Sequence, residues 1–347
     1  MGYKNKKYQK DLTQQINDRL TMMLHAGEGT SKKEAIANGT ERDKIFSYST
    51  YESYFKHCKY FSRYVRENHP EVKNLNQAKK YANEWLQSRV DNGGINGKTL
   101  SAWTITLERE ALGKLYGIRP DDPNFFSAPK RYRADIVRSR GDAVRDGHFS
   151  EKKNDEFVKF CKGTGCRRNI MEKLEGRDLI TRAEIDREIT LWEKQTRTEA
   201  EEKHLNALKD TVKQFPDQDY FLHHRKDKGG RERYSPIVGD NKQQIVDRMK
   251  STAPHEKVWK HVFGNSDIHG YRAEYASTVY RLYARPLEKI PYDRTNKGTG
   301  KKFQGDVYTC RKDKAGKKLD RAAMLKASKA LGHNRIEVIA NNYLRWL

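Results

Sequence analysis

Helical periodicity of apolar side chains is the feature that most constrains the fold of this chain. Apolar residues that recur every three to four positions indicate an amphipathic helix. One such face carries Tyr51, Tyr54, Phe55, Cys58, Phe61 and Val65. Ser49 and Glu52 have the spacing of a capping box, which predicts that this helix begins at Ser49. Similar patterns predict helices near residues 75–90 and 99–116, so residues 45–118 are expected to form a compact helical domain.

Two short apolar runs interrupt the helical pattern in the second half of the chain. Residues 220–222 and 236–238 flank Lys228, Gly229 and Gly230, and this arrangement indicates two strands joined by a glycine turn. Helical patterns surround them, near residues 151–162 and again towards the C-terminus. The predicted fold is therefore mostly α with a small β-sheet in the second domain.

The sequence divides into four segments. They are predicted as a basic N-terminal arm (1–44, flexible or a short helix), the helical domain (45–118), a linker rich in proline and arginine (119–148) and a second domain (149–347). Two stretches of the second domain are interpreted as insertions, near 181–214 and 286–318.

The two insertions differ in composition. Residues 181–214 are highly charged and sparsely apolar, which predicts a solvated helix or a hairpin of helices, with a partner-binding arm as the alternative. Residues 285–318 contain eleven basic and four acidic residues among several glycines. This basic segment is expected to contact phosphate groups, or else to be a solvated, disordered loop.

The net charge indicates the class of partner. Lysine and arginine total 70 against 47 acidic residues, a net charge of +23 in 347 residues. Such an excess favours a polyanion, because each phosphate contact releases condensed counterions. An ordinary basic protein is the alternative, and a membrane surface is disfavoured because the chain lacks a long apolar run or a basic amphipathic anchor. The aromatic stripe of residues 51–65 is interpreted as core, with a base-stacking platform as the alternative.

The cysteines and the N-terminus indicate a cytoplasmic protein. Cys58, Cys161, Cys166 and Cys310 form no Cys-x-x-Cys pair and have no histidine at zinc-ligand spacing. They are expected to be reduced, packed thiols, with no structural disulfide and no metal. The first fifteen residues lack the apolar stretch of a secretory signal.

Six residues have side chains suited to cleaving a phosphodiester without a metal. The reaction needs cations on the non-bridging oxygens, a nucleophile, and an acid for the leaving oxygen. The candidates are Arg167, Lys228, His269, Arg272, His333 and Tyr343. Arginine suits the cationic role because its planar fork binds two phosphate oxygens. Arg168 is the close competitor of Arg167.

The other candidates depend on their local settings. Lys228, at a hairpin tip, is expected to protonate the departing 5′ oxygen, with Lys226 as a local alternative. His269 and Arg272 are one helical turn apart and are expected to share a face. A tyrosine hydroxyl has a pKa near 10, so Tyr343 needs a nearby cation or base before it can attack. Each residue alone also fits an ordinary surface or packing role, and the order of all six favours a site.

In this order the six residues resemble the motifs of the tyrosine recombinase (phage-type integrase) family. The matching motifs are Thr164-Gly165-Cys166-Arg167, the hairpin that begins at Lys228, His269-x-x-Arg272, Leu331-Gly332-His333 and the late Tyr343. The resemblance implies a helical core-binding domain at 45–118 and an α+β catalytic domain at 149–347. It also implies that Tyr343 forms a 3′-phosphotyrosyl link and frees a 5′ hydroxyl. Ile170 departs from the pattern, because relatives carry glutamate there.

The resemblance predicts a site-specific DNA recombinase, of the integrase or excisionase type, from a mobile genetic element. It implies double-stranded DNA as the substrate, a synaptic tetramer on DNA, no metal or nucleotide cofactor, and DNA-bending accessory proteins as possible partners. Two alternatives remain open. One is a type IB topoisomerase-like enzyme that relaxes DNA as a monomer, and the other is a catalytically silent DNA-binding regulator.

Overall fold

The computed structural model describes residues 10–94, 96–132, 135, 149–227, 231–311, 314–333 and 335–344, with the backbone alone at 226, 227 and 231. The chain forms two compact units, Met1–Asp135 and Ile136–Leu347. The division falls within the segment that the sequence predicts as a linker. The described residues are mostly helical and include three small antiparallel sheets. The predicted fold class, mostly α with a small sheet, is confirmed.

The N-terminal unit is built of helices. They are α1 (Leu12–Gly27), α2 (Lys32–Ala37), α3 (Tyr48–Asn68), α4 (Leu75–Ala78), α5 (Ala82–Asp91) and α6 (Ala102–Tyr116). A 3₁₀ turn at Lys79–Tyr81 separates α4 from α5, where the sequence predicts one continuous helix. The core contains Cys58, Phe61 and Val65 from α3, so this part of the aromatic stripe is core, as predicted.

Two features of this unit differ from the sequence-based expectation. The N-cap of helix α3 is Ser47, two residues before the predicted Ser49, because the Ser47 hydroxyl accepts the capping hydrogen bond from the Thr50 amide at 3.3 Å. Helix α1 lies in the segment expected to be an arm, yet its apolar face is buried in the core of the unit. That face consists of Leu12, Ile16, Leu20 and Met23.

The C-terminal unit surrounds a three-stranded sheet with helices. Its elements are α7 (Asp155–Thr164), α8 (Arg168–Met171), β1 (Leu179–Thr181), α9 (Arg182–Glu193), α10 (Glu199–Gln214), β2 (Tyr220–Asp227), β3 (Arg231–Pro236), α11 (Lys242–Ser251), α12 (Ile268–Tyr283), β4 (Arg294–Thr295), β5 (Lys302–Phe303), β6 (Val307–Thr309), β7 (Lys318–Asp320), α13 (Arg321–Ala330) and α14 (Ile336–Asn342). The sheet order is β1-β2-β3, and both pairings are antiparallel. The predicted strand pair is confirmed, whereas β1 is not anticipated by the sequence. The glycine turn at 228–230, including Lys228, lies outside the described residues.

The first insertion is a hairpin of helices that joins the core of this unit. Helices α9 and α10 bury Ile185 and Leu208 in that core. Glu232 of β3 connects them to the sheet, because its carboxylate lies 2.8 Å from His204 Nδ1 of α10 and 2.5 Å from His223 Nε2 of β2. The predicted hairpin of helices is confirmed, but it packs on the core rather than being solvated. The alternative, a partner-binding arm, stays a prediction.

The second insertion consists of two small β-ribbons. The β6–β7 ribbon is fixed to the unit, since Cys310 and Leu319 are in its core and the Arg285 guanidinium bonds both Asp320 and Asp306. The β4–β5 ribbon carries exposed lysines, namely Lys297, Lys301 and Lys302. The expected loop is therefore ordered over its described residues.

Two further expectations concern the cysteines and membranes. All four cysteines are buried and free, as expected for packed thiols. Over the ranges that the structure describes, none of the helices is both long and apolar enough to span a membrane.

Candidate active site

Helix α12 places His269 and Arg272 at the centre of the site. Asp267 caps the helix by accepting a hydrogen bond from the Gly270 amide at 2.9 Å. His269 is exposed at the first turn, and Arg272 lies one turn later with 2% of its surface exposed. Tyr271, Tyr275 and Val279, which predict the helix from the sequence, are fully buried in the cores on which the helix packs. The helix is therefore anchored by its apolar face, and the first turn presents the polar residues.

The Arg272 guanidinium is held by two backbone carbonyls from distant segments. Its Nη1 donates to the carbonyl of Gly165 and its Nη2 to that of Leu331. Its Nε is buried and has no hydrogen-bond partner among the described residues. An unsatisfied buried donor costs free energy, which an anionic oxygen bound at this position would recover.

Burial and neighbouring cations lower the pKa of Arg272. Loss of hydration is the main cause, repulsion from Arg233 and Arg167 adds to it, and Tyr343 opposes it, so that the pKa is about 10. The group therefore remains cationic at neutral pH although several cations are close together. Such a concentration of positive charge in a buried setting attracts an anion strongly.

A left-handed glycine shapes the segment that carries Arg167. Gly165 ends α7 with φ +60°, and a Cβ at this position would come within 2.2 Å of the Tyr275 ring. Glycine is therefore required both by the backbone angle and by the close packing on α12. The turn brings the Gly165 carbonyl to Arg272 and places Arg167 at the start of α8.

The structure distinguishes the two candidate arginines of this turn. Arg168 donates to the carbonyls of Phe263, Gly264 and Ser266, at 2.7, 3.0 and 3.2 Å. Its guanidinium therefore holds the loop that precedes α12. Arg167 is half-buried and close enough to Arg272 to lower its pKa. The geometry favours Arg167 over Arg168 as the residue of the site.

Tyr343 lies between both histidines and Arg272. Its hydroxyl is 3.3 Å from His333 Nε2, and its ring centroid is 5.4 Å from the His333 ring and 5.3 Å from the His269 ring. The Arg272 guanidinium carbon is 5.7 Å from the same centroid. The side chain is 5% exposed, at the C-terminal end of α14.

The Leu-Gly-His turn aims His333 at this tyrosine. Gly332 adopts φ +69°, which ends α13, and the His333 amide then donates to the Ser328 carbonyl at 2.8 Å. The Ser328 hydroxyl in turn donates to the His333 carbonyl at 3.0 Å. The backbone of His333 is thus fixed by Ser328, and its ring faces Tyr343.

Arg233 belongs to the same site but has no role assigned from the sequence. It follows Glu232 on β3, donates to the Ala330 carbonyl at 2.7 Å and lies 3.5 Å from His224 Nδ1. After burial, repulsion from Arg233 is the largest cause of the lowered pKa of Arg272. The hairpin motif in the sequence includes Arg233, but the spacing of that motif does not show that Arg233 contacts the end of α13.

The structure thus brings together His269, Arg272, His333 and Tyr343, with Arg167 and Arg233 close to Arg272. Lys228 lies outside the described residues, as does the side chain of its alternative, Lys226. Within the described part of the chain, no group of three or more histidine, cysteine, aspartate or glutamate side chains is arranged to hold a metal ion. Neither a scan against protein-family models nor a search of curated proteins finds a match to this chain.

Proposed function

We propose that this chain is a site-specific DNA recombinase that cuts and rejoins DNA through a covalent link to Tyr343. The observation that carries the proposal is the Tyr343 hydroxyl, 3.3 Å from His333 Nε2 and beside the buried Arg272 guanidinium. A phenol, an imidazole and a fixed cation at one point are the groups that a metal-independent attack on a phosphodiester uses.

The proposed reaction exchanges one phosphodiester for another. The Tyr343 oxygen bonds to phosphorus, and the bond from phosphorus to the 5′ oxygen breaks, which gives a 3′-phosphotyrosyl link and a free 5′ hydroxyl. The phenolic proton passes to His333, and Lys228 is the proposed donor of a proton to the 5′ oxygen. Arg272 and Arg167 stabilise the charge on the non-bridging oxygens. Reversal with a different 5′ hydroxyl rejoins the strands.

A basic groove in the N-terminal unit supports DNA as the partner. The exposed side of α3 carries Lys56, Lys59, Arg63 and Arg66 along a groove of about 570 Å³. Exposed Tyr48 and half-buried Phe55 line the same groove. Four cations on one helical face can contact several backbone phosphates at once, although Glu52 also lines the groove. With the net charge of +23, this groove favours a nucleic acid over other anionic partners.

We further propose that the recombinase acts in the cytoplasm, as a synaptic tetramer on double-stranded DNA, in the integration or excision of a mobile genetic element. The two ordered insertions motivate this choice, since they add surface beyond a minimal site. Strand exchange between two DNA sites would distinguish this function from that of a monomeric topoisomerase, which relaxes supercoiled DNA of any sequence.

Incubation with a nicked suicide substrate tests the proposal. The wild-type protein is expected to form a covalent protein–DNA band, because the short fragment that carries the free 5′ hydroxyl diffuses away after cleavage. Tyr343→Phe should form no band while binding DNA normally, and Tyr292→Phe, at an exposed tyrosine, should match wild type. An undiminished adduct in Tyr343→Phe would exclude Tyr343 as the nucleophile, and no adduct from the wild type on any cleavable site would refute the function.

A further inference from the structure

One lysine of the second insertion reaches the turn that carries Tyr343. Lys314 Nζ donates to the carbonyl of Ala340 at 3.2 Å and also to that of Leu344. These carbonyls lie three residues before Tyr343 and one residue after it. The side chain therefore spans the backbone on both sides of the proposed nucleophile.

The end of α14 needs such a partner. The helix is only seven residues long, and short helices are marginal without tertiary support. The Ile339 carbonyl accepts from the amides of both Tyr343 and Leu344, at 2.9 and 3.0 Å. Later carbonyls at a helix end lack intrahelical donors. A lysine ammonium satisfies one of them, at Ala340, together with the Leu344 carbonyl just after the helix, and it also interacts favourably with the negative end of the helix dipole.

The described residues of the β6–β7 ribbon hold the backbone of Lys314 in place. The β6–β7 ribbon is registered by Val307 opposite Asp320 and Thr309 opposite Lys318. Between the strands, the Cys310 amide donates to the Lys317 carbonyl at 2.8 Å, and the Lys317 amide to the Lys314 carbonyl at 3.1 Å. Because Arg285 also ties Asp320 in place, Lys314 is held by a loop that is anchored at its base.

We propose that Lys314 is a positioning residue for Tyr343. It fixes the C-terminal turn of α14, so that the hydroxyl stays beside His333 and Arg272. This inference rests on the proposed function and deepens it, because it gives the β6–β7 half of the insertion a role in positioning the nucleophile. The exposed lysines of the β4–β5 half make no such contact among the described residues.

Lys314→Met is the decisive variant, because methionine keeps most of the length of the side chain and removes the donors. Lys326→Met is its matched control, since Lys326 also donates to a backbone carbonyl in this unit, that of Gln214, away from Tyr343. We expect Lys314→Met to slow covalent adduct formation at saturating DNA by about tenfold or more, because small misplacements of reacting groups reduce rates steeply. Its DNA affinity should be unchanged, Lys314→Arg should restore most of the rate, and Lys326→Met should react like wild type.

Hydrogen exchange provides a readout that does not depend on cleavage. The amides of Tyr343 and Leu344 should exchange faster in Lys314→Met than in wild type or Lys326→Met, while those of α12 stay equal in all three. A wild-type rate at saturating DNA would overturn the proposal, and so would a defect confined to DNA affinity, which would make Lys314 a DNA contact. If Lys314→Met does not fold, Lys314→Gln serves in the same two assays. If the wild type forms no adduct, the proposed function fails, and exchange alone still tests the contact.

Discussion

Replacing Arg167 or its neighbour Arg168 by alanine is expected to affect two different properties, cleavage and stability. Arg168 donates three hydrogen bonds to the loop before α12, of which those to Phe263 and Ser266 are partly buried and that to Gly264 is exposed. Arg167 lies near Arg272 and lowers its pKa by repulsion. Arg168→Ala should therefore reduce stability, and Arg167→Ala should reduce cleavage.

The magnitudes follow from these contacts. About 1 kcal/mol for each partly buried bond, and little for the exposed one, gives about 2 kcal/mol for Arg168→Ala. For a domain of this size the loss corresponds to a decrease in Tm of about 4–8 °C. Arg167→Ala should lower the cleavage rate about 10²-fold, as does the loss of one transition-state donor. Its Tm should be unchanged or slightly higher, because a like charge beside Arg272 is removed.

Two assays separate the variants. Thermal unfolding gives Tm, and single-turnover adduct formation at saturating suicide substrate, well below both Tm values, gives the cleavage rate. The reasoning is refuted if Arg168→Ala keeps its Tm and loses cleavage about 10²-fold while Arg167→Ala cleaves normally. In that case the phosphate would be bound by the arginine one position later.

Three further predictions concern the hairpin, the second insertion and pH. Lys228→Ala should slow cleavage of ordinary DNA but spare a 5′-bridging phosphorothiolate, whose sulfur leaves without an acid; equal slowing on both substrates would make Lys228 a phosphate contact. Replacing Lys297, Lys301 and Lys302 by glutamine should weaken binding to all sequences and flatten the slope of log K against log salt by roughly 0.9 per lost contact, whereas an unchanged slope would exclude phosphate contacts by the β4–β5 ribbon. Glu232→Gln should destabilise the C-terminal unit at neutral pH. Burial alone would raise the pKa of Glu232, but hydrogen bonds from His223 and His204 lower it to about 2, so the folded state favours the carboxylate. The stabilisation by Glu232 is complete above its ordinary pKa of 4.5 and is lost as the pH falls towards 2. The difference in denaturation midpoint between wild type and Glu232→Gln should therefore shrink on acidification, and a difference that grows would contradict this role of Glu232.

Local patterns predicted the elements well and their long-range contacts poorly. The spacing of Tyr271, Tyr275 and Val279 indicates α12 because a helical face is a local property of the sequence. The burial of α1 is not anticipated, although Leu12, Ile16 and Leu20 recur every four residues, because polar residues separate them and the N-terminal segment as a whole is basic. For the first arginine of the site, the sequence favours Arg167 but leaves Arg168 as a competitor. The residues that Arg168 contacts lie about 95 positions away, so the sequence does not show those contacts.

The second insertion shows the same limit for the site. Its excess of lysines predicts phosphate contacts, yet Lys314 donates to the carbonyls of Ala340 and Leu344. Composition counts charges without showing what each one faces. The contact of Arg233 with Ala330 is of the same kind, because the two residues are 97 positions apart and meet only after β3 packs on α13.

One guanidinium, that of Arg272, contacts the turns that carry two of the other motifs. The two carbonyls that bind Arg272 belong to Gly165 and Leu331, each within two residues of a candidate, Arg167 or His333. The bonds that orient Arg272 therefore also fix the turns on which those candidates sit. Both turns need a left-handed glycine, Gly165 or Gly332, to present a carbonyl inward and a side chain towards Tyr343 or Arg272. A lysine at position 272 would keep the charge, but its single nitrogen lacks the planar fork that joins both carbonyls and leaves Nε for an anion. The long segment between Arg272 and His333 is compatible with one site, because the turn at its end returns the Leu331 carbonyl to this one side chain.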